Sequence, residues 1–234
     1  MVYCTNCVPK TLYVFDGLNF VSIRNISHLH STTGKIWMDK NLGATQVATS
    51  STDADSYGYL YQWGKAQGFT STYDMRNNRP GPVDDTAEAG TSFITNALDW
   101  LSTNTTTQAV NNARWAATKT VNDPCPFNFR VPTWEELDDE RNIGGDGFWG
   151  TDKKQDNAAG AFASVLKLPL AGYRIFSSGT LDYVGFHGAY WSSTVADGTG
   201  TSSAKGLLVG SYFAAMAPAK RANGLSVRCI KELE

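Results

Sequence analysis

Two stretches near the C-terminus constrain this chain most: Ala189-Tyr190-Trp191-Ser192-Ser193-Thr194 and Gly224-Leu225-Ser226-Val227-Arg228-Cys229-Ile230. Both are dense in β-formers and bounded by Gly and small polar residues, so both read as strands. Between them the pattern fails. Val209 to Lys220 reads VGSYFAAMAPAK, with small residues, two adjacent aromatics and a Met, and it matches neither the helical nor the alternating period. A firm frame around an unpatterned segment is the arrangement expected of a scaffold that displays a surface.

A chain of 234 residues is long enough to bury a substantial core. The net charge of −2 gives no electrostatic case for nucleic acid or for an anionic membrane. Only 18% of residues are charged, while Gly, Ser, Thr and Asn are plentiful, as suits a loop-rich protein with a weakly charged surface. No apolar run is long enough to span a bilayer, so membrane insertion is not expected. The first residues, MVYCTNCVPK, lack the apolar stretch of a signal peptide. The expectation is either a mature domain on its own or a protein that reaches its destination without a secretion signal, as a virion component does.

Cys4 and Cys7 form a C-x-x-C pair. Although His28 and His30 are near in sequence, no second pair at zinc-finger spacing follows, and a terminal linker or a local disulfide is the plainer reading. Cys125 and Cys229 sit inside tight motifs, Pro124-Cys125-Pro126 and Val227-Arg228-Cys229-Ile230. A bridge between them would stabilise by about 4–5 kcal/mol in the chain-entropy account. Two free buried thiols are the alternative.

Thr11 to Ile26 suggests two short strands turning at Asp16-Gly17, and Lys35 to Asp39 another strand. The aromatic run Tyr57 to Gly64 reads as core, with a sugar-stacking platform as the sharper alternative. Phe69 to Gly90 should be irregular. Phe93, Ile94, Ala97, Leu98 and Leu101 lie at helical spacing, which predicts a helix over Thr91 to Leu101. Thr133 followed by Glu136 is a capping box that opens a second helix, with Trp134 and Leu137 inward. The acidic cluster Glu135, Glu136, Asp138, Asp139 and Glu140 reads as a solvated helix face. Asp156 to Leu166 suggests a further helix, and Leu168 to Arg174 starts a strand that Ser178-Gly179 turns. Asp146 and Asp152 flank a Gly-rich loop with room for a structural cation, though no metal site is assigned. The whole reads as one α+β domain over residues 11–234, after an N-terminal extension of residues 1–10.

The ordered set GKIWMDKNLGA, YGYLYQWGKAQGF, DPCPFNFRVPTWEEL, LKLPLAGYR, GAYWSSTV and RANGLSVRCI resembles bacterial surface domains of the Fibrobacter succinogenes major paralogous (FISUMP-like) type. It is also similar to the variable proteins of diversity-generating retroelements. The resemblance runs from about Gly34 to Lys231. It implies a C-type-lectin-like fold, shared with formylglycine-generating enzymes, with two or three helices, short antiparallel sheets, long irregular loops and paired first and last strands.

In retroelement-diversified members, mutagenesis at template adenines rewrites exposed positions near the C-terminus. The resemblance therefore implies a fixed frame at Trp191 to Thr194 and Ser226 to Cys229, with Arg130, Trp191, Cys125 and Cys229 structural. The ligand-binding candidates are Val195, Asp197, Thr199, Val209, Ser211, Tyr212, Phe213, Ala214, Ala215, Met216, Ala217 and Ala219. Changing the adenines of an Asn AAC codon yields every residue type found from Val209 to Ala215, but neither Met216 nor Lys220. The implied function is non-enzymatic recognition of a protein or glycan receptor on a target cell, with no cofactor and no nucleic acid. The location would be a phage tail tip or a bacterial cell surface, and a homo-oligomer would add avidity.

Two other classes are compatible with parts of the same sequence. An ordinary paralogous surface domain without diversification shares the same frame. A formylglycine-generating-like enzyme would need a reactive cysteine pair, and Cys229 is the only C-terminal cysteine. His28, His30 and His187 lack a nucleophile-elbow context, and His187 between Phe186 and Gly188 reads as a loop or packing residue. The calcium-site tripeptides of sugar-binding lectins are absent.

Overall fold

The computed structural model describes residues 26–71, 77–103, 107–142, 155–196 and 202–232, and the backbone of 2–3, 12–15 and 20–22. Cys4, Cys7, Asp146, Asp152, Asp197 and Thr199 lie outside the described residues. The fold is mixed α+β. Strands Val2–Tyr3, Leu12–Phe15 and Phe20–Ser22 form an antiparallel sheet of their own. Phe15 stands opposite Phe20, and the expected turn residues Asp16 and Gly17 lie outside the described residues. Because Tyr3 pairs with Leu12, a ladder crosses the expected boundary between residues 10 and 11.

A four-stranded sheet runs in the order Phe129–Arg130, Ile230–Lys231, Ile36–Met38, His28–His30. Its central contact joins Trp37 to Ile230, so the C-terminal strand closes onto an early one. The stretch expected as one strand from Gly224 to Ile230 divides. Gly224–Ser226 belongs to the large sheet and Ile230–Lys231 to this one. Val227 to Cys229 bridge the two, accepting from Leu42 N and Met38 N at 2.9 Å each. Cys229 is bonded to Cys125, which settles the open pairing in favour of the disulfide.

The large sheet is built on Gly188–Val195, flanked on one side by Gly224–Ser226 and on the other by Ser203–Gly210 and then Phe213–Lys220. Alternation along Gly188–Val195 sends side chains to opposite faces. Ala189 and Trp191 join one core with Trp63, Trp115 and Val227, and Tyr190 joins a second with Trp37, Leu166 and Leu207. Trp191 donates from Nε1 to Tyr61 O at 2.6 Å, and Trp63 from Nε1 to Ser192 O at 2.8 Å. The aromatic run is therefore core rather than platform: Tyr57, Tyr61 and Trp63 are buried, and Tyr59–Gln62 pairs with Gly224–Ser226.

The helix at Trp134–Arg141 starts as its sequence requires, with both bonds of the Thr133/Glu136 capping box formed. Replacing Thr133 with Ala is expected to cost about 1 kcal/mol, read by urea denaturation. Leu137 is buried, while Trp134 is half-buried beneath Lys205. The acidic face is not simply solvated. Glu136 pairs with buried Arg130 at 2.7 Å. Glu140 is buried and accepts from Ser31, Thr33 and the Trp37 indole. Polar residues on sequence-distant strands cover it, a feature that periodicity along one helix does not register.

Thr91 to Leu101 is not a helix. Phe93–Thr95 is a strand parallel to Asn78–Pro80, and the Gln62 side chain both donates to Ile94 O and accepts from Ile94 N. Asn96, at φ 61°, ends it. The spacing nevertheless marked inward residues, since Phe93, Ile94, Ala97 and Leu101 are buried. Phe69 to Gly90 carries more order than expected, with strands Gly68–Thr70 and Asn78–Pro80 and a short helix at Thr86–Ala89. Ala158–Ala163 is helical, within the expected range. Tyr173–Arg174 and Leu181–Asp182 pair across the turn at Ser178-Gly179.

Lys65 lies in the core near these strands. Its amine donates to Ser92 O at 2.6 Å and sits 5.2 Å and 5.5 Å from the Phe69 and Trp100 ring centres. Burial, with nearby Arg114, lowers its pKa from 10.5 to about 8. Between those two values the unfolded chain holds a proton that the folded one has released, so this residue's contribution to stability rises with pH. Wild type measured against Lys65→Met should gain up to about 1.4 kcal/mol per pH unit in that window and be level below it. Urea titrations across the range check this.

Candidate recognition face

The segment from Val209 to Lys220, expected to be unpatterned, is most of a β-hairpin. Ser203–Gly210 and Phe213–Lys220 pair from Ser203↔Lys220 to Gly210↔Phe213, leaving Ser211-Tyr212 as a two-residue loop. Alanines and a proline disguise the second strand. It lies at the sheet edge, where packing rather than propensity decides.

The hairpin sorts the candidates by alternation. Val209, Ala214 and Met216 point to the core that the Trp134–Arg141 and Ala158–Ala163 helices cover. Val209 is 0% and Ala214 5% exposed, so neither is a ligand contact in this fold. That corrects both assignments, because each fills interior volume. Met216 is partly buried against the same core. By the same alternation Phe213, Ala215, Ala217 and Ala219 share the opposite face with Gly206 and Leu208. Val195 is half-buried against the Trp191 core.

Tyr212 is the most exposed of the large hydrophobic residues at the tip, at 96%. Phe213 folds its ring over Gly210, where a Cβ would come within 2.6 Å of that ring. The ring also meets His187 edge-on at 5.7 Å, while His187 stacks on Tyr183 at 4.3 Å and 3°. Tyr183 stacks in turn on Tyr173 at 5.8 Å. His187 is a packing residue, as its context implied. Tyr183 holds φ 53°, and its carbonyl accepts from both Phe186 N and His187 N, a tight turn that projects Phe186 outward at 67% exposure. Tyr183, Phe186, His187, Tyr212 and Phe213 together border an open depression of about 630 Å³.

Beside the hairpin the open face holds a second recess of about 360 Å³, lined among others by Leu208, Ala217, Ala219, Lys220 and Tyr173. Gly206, Leu208, Tyr173, Tyr183 and Phe186 join the candidates only through the fold. Ser203 to Gly210 reads SAKGLLVG, with Leu207, Leu208 and Val209 adjacent and no alternation to mark which of them faces outward.

Among the described residues no group of three His, Cys, Asp or Glu side chains is placed to hold a metal ion, and no helix is long and apolar enough to cross a membrane. Comparison of the chain with family models, curated proteins and solved structures finds no match.

Proposed function

We propose that this chain is a non-enzymatic recognition domain of C-type-lectin-like fold, diversified in its C-terminal hairpin, that serves as a receptor-binding tip of a phage or as a bacterial surface adhesin. The observation that carries the reading is the exposed aromatic patch of Tyr183, Phe186, Tyr212 and Phe213 at the end of a disulfide-anchored sheet. Contiguous apolar patches on a protein surface mark interaction sites. Tyr and Phe supply large contact area with few rotatable bonds, and Ser211 supplies adaptable hydrogen bonding.

The test is binding of fluorescent, avidin-tetramerised protein to a panel of bacterial cells. Tyr212→Ala is expected to abolish binding to whichever cells the wild type labels, while stability stays within about 0.5 kcal/mol, as at an exposed site. Equal labelling by wild type and by a Tyr212→Ala, Phe186→Ala double variant would sink the proposal.

A further inference from the structure

The recess beside the hairpin has chemistry of its own. Its floor is small and apolar, from Gly206, Ala217 and Ala219, with Leu208 and Leu225 at its sides. At about 360 Å³ it is large enough for an apolar side chain, and few polar groups reach into it. Lys220 is the one charged residue in its lining, and among the described residues no carboxylate forms an ion pair with it.

The edge strand restricts how a partner can sit there. The two-residue loop makes Gly210 and Phe213 a hydrogen-bonded pair, so alternate residues Ala214, Met216, Pro218 and Lys220 turn their backbone groups outward. Pro218 has no N–H to offer in that row, which interrupts any added strand. Recognition must therefore go through side chains entering the recess. Tyr173, Ser203, Asn223 and Lys220 are the polar residues of the lining, but the walls are mostly apolar, which favours an apolar side chain over a sugar.

We infer that the recess seats an apolar side chain of a protein partner, with a carboxylate next to it on the partner meeting Lys220. This rests on the recognition reading above, and narrows its ligand from a protein or glycan to an acidic, apolar peptide surface.

The experiment is selection of a displayed random peptide library on the intact wild-type protein, with each recovered peptide then tested on three variants by fluorescence polarisation. Ala217→Leu fills the recess from its open side, Lys220→Glu reverses its charge, and Tyr212→Ala removes the tip. Thermal melting of each variant confirms that it is folded. The expected result is a family of peptides with an aliphatic or aromatic residue next to Asp or Glu. Their binding should be lost on Ala217→Leu, weaken about tenfold or more on Lys220→Glu, and be restored in part to Lys220→Glu by peptides carrying Lys or Arg at the acidic position. Recovering no peptide that depends on Ala217, or finding that such peptides have no acidic residue, overturns the inference. Peptides that ignore Ala217→Leu but fail on Tyr212→Ala would leave the tip as a recognition site while removing the recess from it.

Discussion

Replacing Cys125 and Cys229 together with Ala is expected to destabilise the protein by about 4–5 kcal/mol. The bridge spans 104 residues of sequence, and closing so long a loop removes much of the unfolded chain's freedom. It also fastens the turn before Phe129–Arg130 to the last connection of the chain, where Met38 and Leu42 hydrogen-bond to either side of Arg228. For a chain of this size the melting midpoint should fall by roughly 10–15 °C. Because both sulfurs are buried, reduction in denaturant followed by refolding in reductant should reproduce the shift. A fall of only a degree or two would mean that packing alone holds the frame.

Trp191→Ala is expected to cost about 3–5 kcal/mol, measured by urea denaturation. The indole is fully buried, and its loss leaves a cavity among Trp63, Trp115 and Val227. It also removes the indole's hydrogen bond to the Tyr61 carbonyl. Trp191→Phe should recover most of the packing but not the hydrogen bond, and so cost about half as much or less. If Ala and Phe were equally tolerated, Trp191 would not be part of the frame that positions the hairpin.

Much of this frame could be read from the sequence because it depends on local rules. The Thr133 capping box and the turn at Ser178-Gly179 are specified by neighbours a few residues away. Trp191 stood out as a large aromatic among β-formers. What escaped depends on distant partners. Phe93–Thr95 has helical spacing but is held extended by Gln62 and Asn78–Pro80. Glu140 lies on a polar helix face but is covered by Ser31, Thr33 and Trp37.

The candidate site divides in the same way. That the C-terminal segment between two rigid strands is exposed was legible, and Tyr212 and Phe213 are at its tip. The hairpin itself was not, because Ala215, Ala217 and Ala219 give no hydrophobic alternation on the open face. Without the hairpin, buried Val209 and Ala214 could not be told from their exposed neighbours.

The central claim is that a fixed frame displays a diversified face. It is tested most directly by deep sequencing of the codons for residues 185–230 across a population grown from one cell, together with the DNA downstream. The account predicts substitutions gathered at Ser211, Tyr212, Phe213, Ala215, Ala217 and Ala219, sparing Trp191, Val209, Ala214 and Cys229, and a downstream near-copy with adenines at the changing positions. Substitutions spread evenly over buried and exposed positions, or an invariant hairpin with no such repeat, would contradict it.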